Sequence, residues 1–320
     1  NICTYSCSFC AFSKGKKGTD FAEAPYLKSA DQVAVLAKEA WDRGATEVCL
    51  QGGIHPDFTG QTYLDICRAV KDLVPDMHIH GFSPLEVSHG AETLGVSVSN
   101  FLSQLKDAGL STLPGTAAEI LTDEVRALIC PDKLNSQQWL MGIEEAHKLD
   151  LPTTATIMFG HVDTYHDWAI HLQKLLELQL KTGGLTEFVP LSFVAEEAPI
   201  YKRGLSRSGP TLRESILMHA VSRLVLHPHV KNIQASWVKM GLEGVNLCLH
   251  AGANDVGGTL MNESITRAAG AAHGQEMTPQ ALEAVIVGCD RQPRVRRTNY
   301  ADAAPPHVVY QSDELRAIQL

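Results

Sequence analysis

Apolar positions along the chain follow two rhythms that alternate. Residues 31–44 (DQVAVLAKEAWDRG) repeat apolar side chains three and four apart and end on Gly44, the pattern of an amphipathic helix with a glycine stop. Residues 46–51 (TEVCLQ) are a short apolar run closed by Gly52-Gly53, the pattern of a buried strand. The succession then recurs. Strands are predicted at 77–82, 110–113, 153–158, 186–190 and 231–236, with a last one in the apolar stretch 247–251. Helices are predicted at 60–73, 98–108, 117–129, 136–149, 164–182, 210–226, 238–247, 262–271 and 278–288. Strand followed by helix at intervals of roughly 30–45 residues predicts a parallel sheet with crossover helices. Seven strands follow Asn1, and one more ahead of Asn1 would complete a (β/α)8 TIM-type barrel, an α/β fold. No Gly/Ser-rich linker and no internal repeat divides the chain. Residues 1–298 are therefore expected to form one barrel with C-terminal helices, and residues 299–320 a tail.

Composition narrows the partners. Of 320 residues, 27 are Lys or Arg and 36 are Asp or Glu, a net charge of 27 − 36 = −9, with 44% hydrophobic residues. These values fit a globular protein and exclude disordered or collagenous classes. A net negative chain lacks the basic surface of a sequence-independent nucleic-acid binder. No apolar run reaches the ~18 residues of a membrane span. The first residue is Asn and no leader pattern precedes the fold, so the chain reads as a piece of a longer cytoplasmic product.

The cysteines change the picture. Cys49, Cys67, Cys130, Cys248 and Cys289 are scattered singly in apolar surroundings and read as buried small hydrophobes of a reducing compartment. Cys3, Cys7 and Cys10 are clustered as Cys-x-x-x-Cys-x-x-Cys. Three thiolates on one loop suit three irons of a [4Fe–4S] cubane. A structural zinc site wants a fourth closed ligand, and none follows at zinc spacing. Three ligands leave one iron open. That is the design of radical S-adenosylmethionine (SAM) enzymes.

Barrel enzymes carry their chemistry after the strands. Those segments are polar here: Gln51-Gly52-Gly53-Ile54-His55, His80-Gly81-Phe82-Ser83-Pro84-Leu85-Glu86, Gly115-Thr116, Met158 to Asp163, Ser236-Trp237 and Gly252 to Asp255. Together with NICTYSCSFCAFSKGK, LPGTAAEILTDEVR, ICPDKL, TGGLTEFVPLSF, NIQASWVKMG and GANDVGGTLMNESITRAAGAAHGQE, they give the chain its resemblance. It resembles the tyrosine-using component of FO synthase, within the radical SAM enzymes, from Asn1 to about residue 297. Two menaquinone-pathway enzymes, aminofutalosine synthase and dehypoxanthine futalosine cyclase, share the architecture and are the alternative. Ser13-Lys14-Gly15-Lys16 and Thr116-Ala117-Ala118-Glu119 favour the FO synthase branch. Family members usually carry Glu where this chain has Asp163.

The resemblance implies a set of roles. Cys3, Cys7 and Cys10 would hold the cluster, and the backbone of Phe9 would lie near the adenine of SAM. Gln51-Gly52-Gly53 would meet the amino group of SAM. Ser83, Glu86 and Glu119 would complete its site, with Glu119 the better ribose ligand, and Arg126 and Lys133 are candidates to pair with its carboxylate, a solvated surface charge being the competing reading for Glu86, Glu119, Arg126 and Lys133. Cleavage of SAM would yield a 5′-deoxyadenosyl radical that abstracts hydrogen from L-tyrosine at its amino group. Cα–Cβ cleavage would then release a 4-hydroxybenzyl fragment that adds to 5-amino-6-(D-ribitylamino)uracil. The other radical SAM component of FO synthase, fused or separate, would be the partner. His55, His80, His161 and Asp163 are the candidate proton-handling residues, with Trp237, Asn254 and Asp255 as further polar groups. For any one histidine, a satisfied structural role is the competing reading.

Overall fold

The computed structural model describes residues 1–14 and 25–301. In chain order the elements are α1 (Ala30–Asp42), β1 (Glu47–Leu50), α2 (Gly60–Leu73), β2 (His78–Gly81), α3 (Pro84–Leu94), α4 (Val98–Asp107) and β3 (Leu110–Thr112). There follow α5 (Asp123–Ile129), α6 (Ser136–Lys148), β4 (Thr153–Phe159), α7 (Tyr165–Thr182) and β5 (Leu185–Ser192). The last are α8 (Pro199–Lys202), α9 (Leu212–Leu226), β6 (Asn232–Ile233), α10 (Trp237–His250), α11 (Ile265–Ala268) and α12 (Pro279–Gly288).

All the strand pairs are parallel, β1-β2-β3 in one sheet and β4-β5-β6 in the other. A bridge between Leu113 and Thr153 joins the sheets, and one between Gln234 and Asp255 extends β6. The strands thus run around the barrel in sequence order. Phe188 on β5 packs into the apolar layer between strands and helices, while Glu187 beside it turns inward, the period of two that a strand requires. Ile79 on β2 is in the same outer layer, and His78 and His80 face inward to Thr112. A second apolar cluster forms where α10 and α12 meet around Ala253 and Val256.

Three expectations change. The stretch 247–251 is helix, not strand: after a kink at Gly241, Val245, Cys248 and Leu249 continue at helical spacing into the second cluster. A five-residue apolar run cannot tell strand from helix by itself. The seventh strand position is instead the single bridge at Asp255. Residues 117–122 are a loop, because Ala117 and Glu119 adopt left-handed backbone conformations that end any helix there. Finally, α3 was not foreseen. Ser83 and Glu86 form a capping box around Pro84, and Gly95 ends the helix in the left-handed conformation.

The segment after α12 closes the barrel floor. Thr298 donates its amide and hydroxyl to Glu47 on β1, at 2.8 and 2.5 Å. Arg296 reaches Glu187 and Asp255, and the Tyr300 hydroxyl donates to the same two carboxylates. Of the expected tail, Tyr300 reaches the barrel while Asn299 and Ala301 are exposed, and residues 302–320 lie outside the described residues, as do Gly15 and Lys16.

Candidate active site

The cysteine loop is fastened to the end of β1. The Thr4 amide donates to the Ile54 carbonyl at 2.8 Å. A Cβ on Gly53 would stand 2.4 Å from the Ile2 carbonyl oxygen, so only glycine admits this approach. At Gly52 a Cβ would meet no atom within 4 Å, so the strand end faces open space. Beyond β1, the Ser8 amide donates to the Ile129 carbonyl at the end of α5, and the Ile200 amide donates back to Ser8.

Cys3, Cys7 and Cys10 are half-buried free thiols on this loop. Burial pushes the Cys7 and Cys10 thiols up, while Lys133 pulls both down and the Ser13 amide, 3.4 Å from the Cys10 sulfur, also favours a thiolate there. A bound metal would deprotonate them outright. Among the described residues no three His, Cys, Asp or Glu side chains surround a single-ion position. A cubane does not need that, since each thiolate takes its own iron. The residues present fit a three-Cys cluster.

Beside the loop lies a buried ion pair. The Lys133 ammonium donates to the Glu119 carboxylate at 2.8 Å, their side chains 11% and 12% exposed, and it stands 5.2 Å from the centre of the Phe9 ring. Burial opposes the Lys133 charge, but Glu119 and then Cys7 outweigh it, and its pKa is raised. Only Oε1 of Glu119 is engaged among the described residues, which leaves Oε2 open. Arg126 does something else. Its guanidinium is buried and donates to the carbonyls of Ala117, Ala118, Ile120 and Leu134. It therefore staples the Glu119 loop and has no donor left over for a carboxylate.

Glu86 is buried, and its Oε2 accepts from both the amide and the hydroxyl of Ser83 at 2.7 Å. Burial raises its carboxyl to about 7 against the pull of Ser83. Both residues serve first as the cap of α3.

The candidate proton carriers divide. Asp163 accepts from the amides of Gly160 and His161 and from the Trp168 indole, all between 2.5 and 3.0 Å, with a fully buried side chain. His161 is equally enclosed: Nε2 donates to the Met158 carbonyl and Nδ1 accepts from the Val162 amide. These two residues build the turn after β4, with Asp163 folded back onto its own loop. Asn254 is likewise saturated by Arg223, Ile233 and Lys231. The Trp237 indole donates to Gly258. His55 and His80 retain capacity. His55 Nδ1 accepts from the Asp57 amide, which puts its proton on Nε2. His80 shares the Thr112 hydroxyl with His78, each at 2.8 Å. Burial lowers the His80 pKa to about 4, so its ring is neutral.

Some residues were missed. Cys49 is not a buried hydrophobe but is open on the inner side of β1, 3.3 Å from the Gln51 amide nitrogen. Surrounding protein still pushes its thiol to about 12. Lys239, on the first turn of α10, lies where the charges of Glu263 and Glu119 reach it. Its signal was a lone lysine in an apolar stretch just after a strand. Arg296 and Tyr300 had no signal, because their partners are more than 40 residues away in sequence.

Comparison with known proteins gives the class first. Residues 1–175 match the Radical SAM superfamily and residues 182–308 match the CofH/MqnC C-terminal region, so the chain belongs to the radical SAM superfamily. Membership implies a [4Fe–4S] cluster and SAM as cofactors. Within it, the chain is 47% identical over 300 residues to the 5-amino-6-(D-ribitylamino)uracil–L-tyrosine 4-hydroxyphenyl transferase of Methanopyrus kandleri, covering 94% of this chain and 80% of that one. It is 49% identical to the FO synthase of Streptomyces coelicolor over 94% of its length, but it spans only 34% of that synthase. Among solved structures, methylornithine synthase (PylB) superposes with a TM-score of 0.65 at 17% identity, over 93% of this chain and 81% of that one, and so shares the barrel fold. No described helix is long and apolar enough to cross a membrane.

Proposed function

We propose that this chain is the transferase that cleaves L-tyrosine and moves its 4-hydroxybenzyl group to 5-amino-6-(D-ribitylamino)uracil, in the formation of the deazaflavin FO. One observation carries the reading: 47% identity to a transferase of that name, running through 80% of that relative, in a chain whose three-cysteine loop lies at the mouth of a barrel. The C-terminal match alone names two branches, CofH and MqnC, and does not choose between them. The FO synthase relatives, of which the chain spans about a third, support a second radical SAM component as its partner, fused or separate.

The cluster and SAM, when bound, supply a radical able to abstract hydrogen from an unactivated N–H or C–H bond. The chain binds and orients. Cys3, Cys7 and Cys10 hold the cluster. The open face of Gly52, with Gln51 and Gly53, and the backbone of Phe9 line the cofactor side. Glu119 offers Oε2 to ribose hydroxyls while Lys133 holds Oε1. Ser83 and Glu86 brace that wall through the α3 cap. On the substrate side His55 presents an Nε2–H donor, and neutral His80 offers a ring nitrogen inside the barrel. His161 and Asp163 shape the turn between them and move no proton.

The test is an anaerobic assay of reconstituted protein with SAM, dithionite, tyrosine and the ribitylaminouracil. We expect 5′-deoxyadenosine and the coupled product. SAM cleavage that responds only to futalosine-type substrates would reassign the chain to the menaquinone branch.

A further inference from the structure

The inner side of β1, β2 and β3 carries a chain of hydrogen bonds that ends on an open ring nitrogen. In the strand register Glu47 stands beside His78 and Cys49 beside His80, and His80 pairs in turn with Thr112. The chain begins at the C-terminal segment. Thr298 donates its amide to Oε2 of Glu47 and its hydroxyl to Oε1, which fixes the carboxylate. Oε2 then lies 3.4 Å from Nε2 of His78. The same Nε2 stands 2.8 Å from the Thr112 hydroxyl oxygen, which stands 2.8 Å from Nδ1 of His80. A hydroxyl has one proton, so it donates to one of these ring nitrogens and accepts from the other. A bare lone pair on His78 Nε2 would face the Glu47 oxygen with like charge, so the proton of His78 sits on Nε2. His78 therefore donates to Thr112, and Thr112 donates to Nδ1 of His80. Burial keeps the His80 ring neutral, so its one proton is on Nε2.

His80 is 7% exposed, and its Nε2–H meets no acceptor among the described residues. The neighbouring position on β1 is open: Cys49 is exposed, and so are Gln51 and Gly52 beyond it. The donor thus adjoins a space that continues along β1 to the cofactor side. The wall at this depth is uncharged, a thiol beside a neutral ring. An ion would give up its water here for neutral neighbours, which is costly, whereas an uncharged oxygen pairs with an N–H donor without that loss. We propose that Nε2–H of His80 donates to an uncharged acceptor oxygen of a substrate, a phenol or a pyrimidine carbonyl, and that Glu47, His78 and Thr112 are the positioning residues that set its tautomer. This deepens the reading given under Proposed function and rests on it. The floor of the barrel, through Thr298 and Glu47, then decides which face of one histidine a ligand meets.

Two measurements on reconstituted protein test the two halves. The first needs no turnover. Isotope-labelled histidine is read by long-range proton–nitrogen NMR with the cluster oxidised, and His80→Gln identifies the His80 signals. Wild type should show His80 in the Nε2–H form. Glu47→Met, which removes the carboxylate, should bring in the Nδ1–H form at both His78 and His80. Nδ1–H at His80 in wild type, or a tautomer indifferent to Glu47→Met, would overturn the relay. The wild-type spectrum decides even if that variant does not fold. The second measurement is equilibrium binding of tyrosine, phenylalanine and the ribitylaminouracil to wild type, His80→Leu and His80→Gln. One neutral hydrogen bond gives roughly a three- to tenfold effect. His80→Leu should weaken one of the two substrates by that factor, and His80→Gln, which keeps an N–H donor, should recover most of it. A loss for tyrosine but not phenylalanine identifies the phenol as acceptor, and a loss for the ribitylaminouracil alone identifies the pyrimidine carbonyl. Equal losses for tyrosine and phenylalanine, or no loss for any probe, would overturn the donor role. Wild-type protein that binds neither substrate would remove the reading under Proposed function, while the tautomer result stands by itself.

Discussion

At the floor of the barrel, Arg296 forks onto Asp255 and reaches Glu187, the Tyr300 hydroxyl bridges both carboxylates, and Gln234 joins them on Oε2 of Glu187. At the mouth, Lys133 takes one oxygen of Glu119 and Lys239 takes none. Both ends bury charge, but the mouth holds an isolated pair, whereas the floor knits two carboxylates, a guanidinium and a phenol into one network. Two carboxylates there share one guanidinium, and burial still raises Glu187 to about 7 against the pull of Arg296. At the mouth a single lysine meets a single carboxylate, and Oε2 of Glu119 takes no hydrogen bond among the described residues. A buried network of several shared hydrogen bonds fixes structure, whereas a single pair with an open acceptor has room for a ligand. The floor ties the C-terminal segment to the barrel, and the mouth leaves one oxygen of Glu119 open.

The comparison can be broken most severely at the mouth. Cys7→Ala should abolish SAM cleavage while far-UV circular dichroism stays native, and a variant that still forms 5′-deoxyadenosine at the wild-type rate would remove the cluster loop from the account. The floor should respond in stability instead. Arg296→Met leaves two buried carboxylates without their cation, which costs about 3–5 kcal/mol where such pairs have been broken. Urea unfolding checks this, and a midpoint unchanged from wild type would mean the floor network is idle. A smaller effect comes from acid. Burial holds His80 and His147 down to about 4, so both are neutral in the folded chain. Between pH 6.5 and about 4 the unfolded chain binds protons that the folded chain refuses, so stability falls as pH drops through that window. Each histidine should contribute about 1–3 kcal/mol of this loss. His147 bridges Thr182 and Thr153, away from the mouth. His147→Gln should flatten the acid limb of the stability curve, and an identical slope would assign the acid sensitivity to other groups.

Much of this was legible in the chain. The spacing of Cys3, Cys7 and Cys10 gave the cofactor class, and the strand-helix rhythm gave the barrel, because both signals are local. Gly53 was legible as a turn, but not as the contact point of a loop 50 residues earlier. Arg126 and Asp163 were offered as ligand-facing charges, and the fold folds them back onto backbone groups. Nothing in their neighbours says whether a charged side chain will find its partner in its own loop or in a ligand. Lys239 shows the converse, a charge overlooked because its sequence neighbours are apolar. The stretch 247–251 failed for a third reason, since a short apolar run fits either period.

The staple formed by Arg126 has a further consequence. One guanidinium gathers carbonyls from Ala117 to Leu134, and the ends of that span carry Glu119 and Lys133. Glu119 is thereby kept in a left-handed conformation that a free loop would seldom visit. The loop's conformational freedom is surrendered when the protein folds, long before a cofactor arrives. Binding then has little ordering left to do at this wall, and more of the contact energy can appear as affinity.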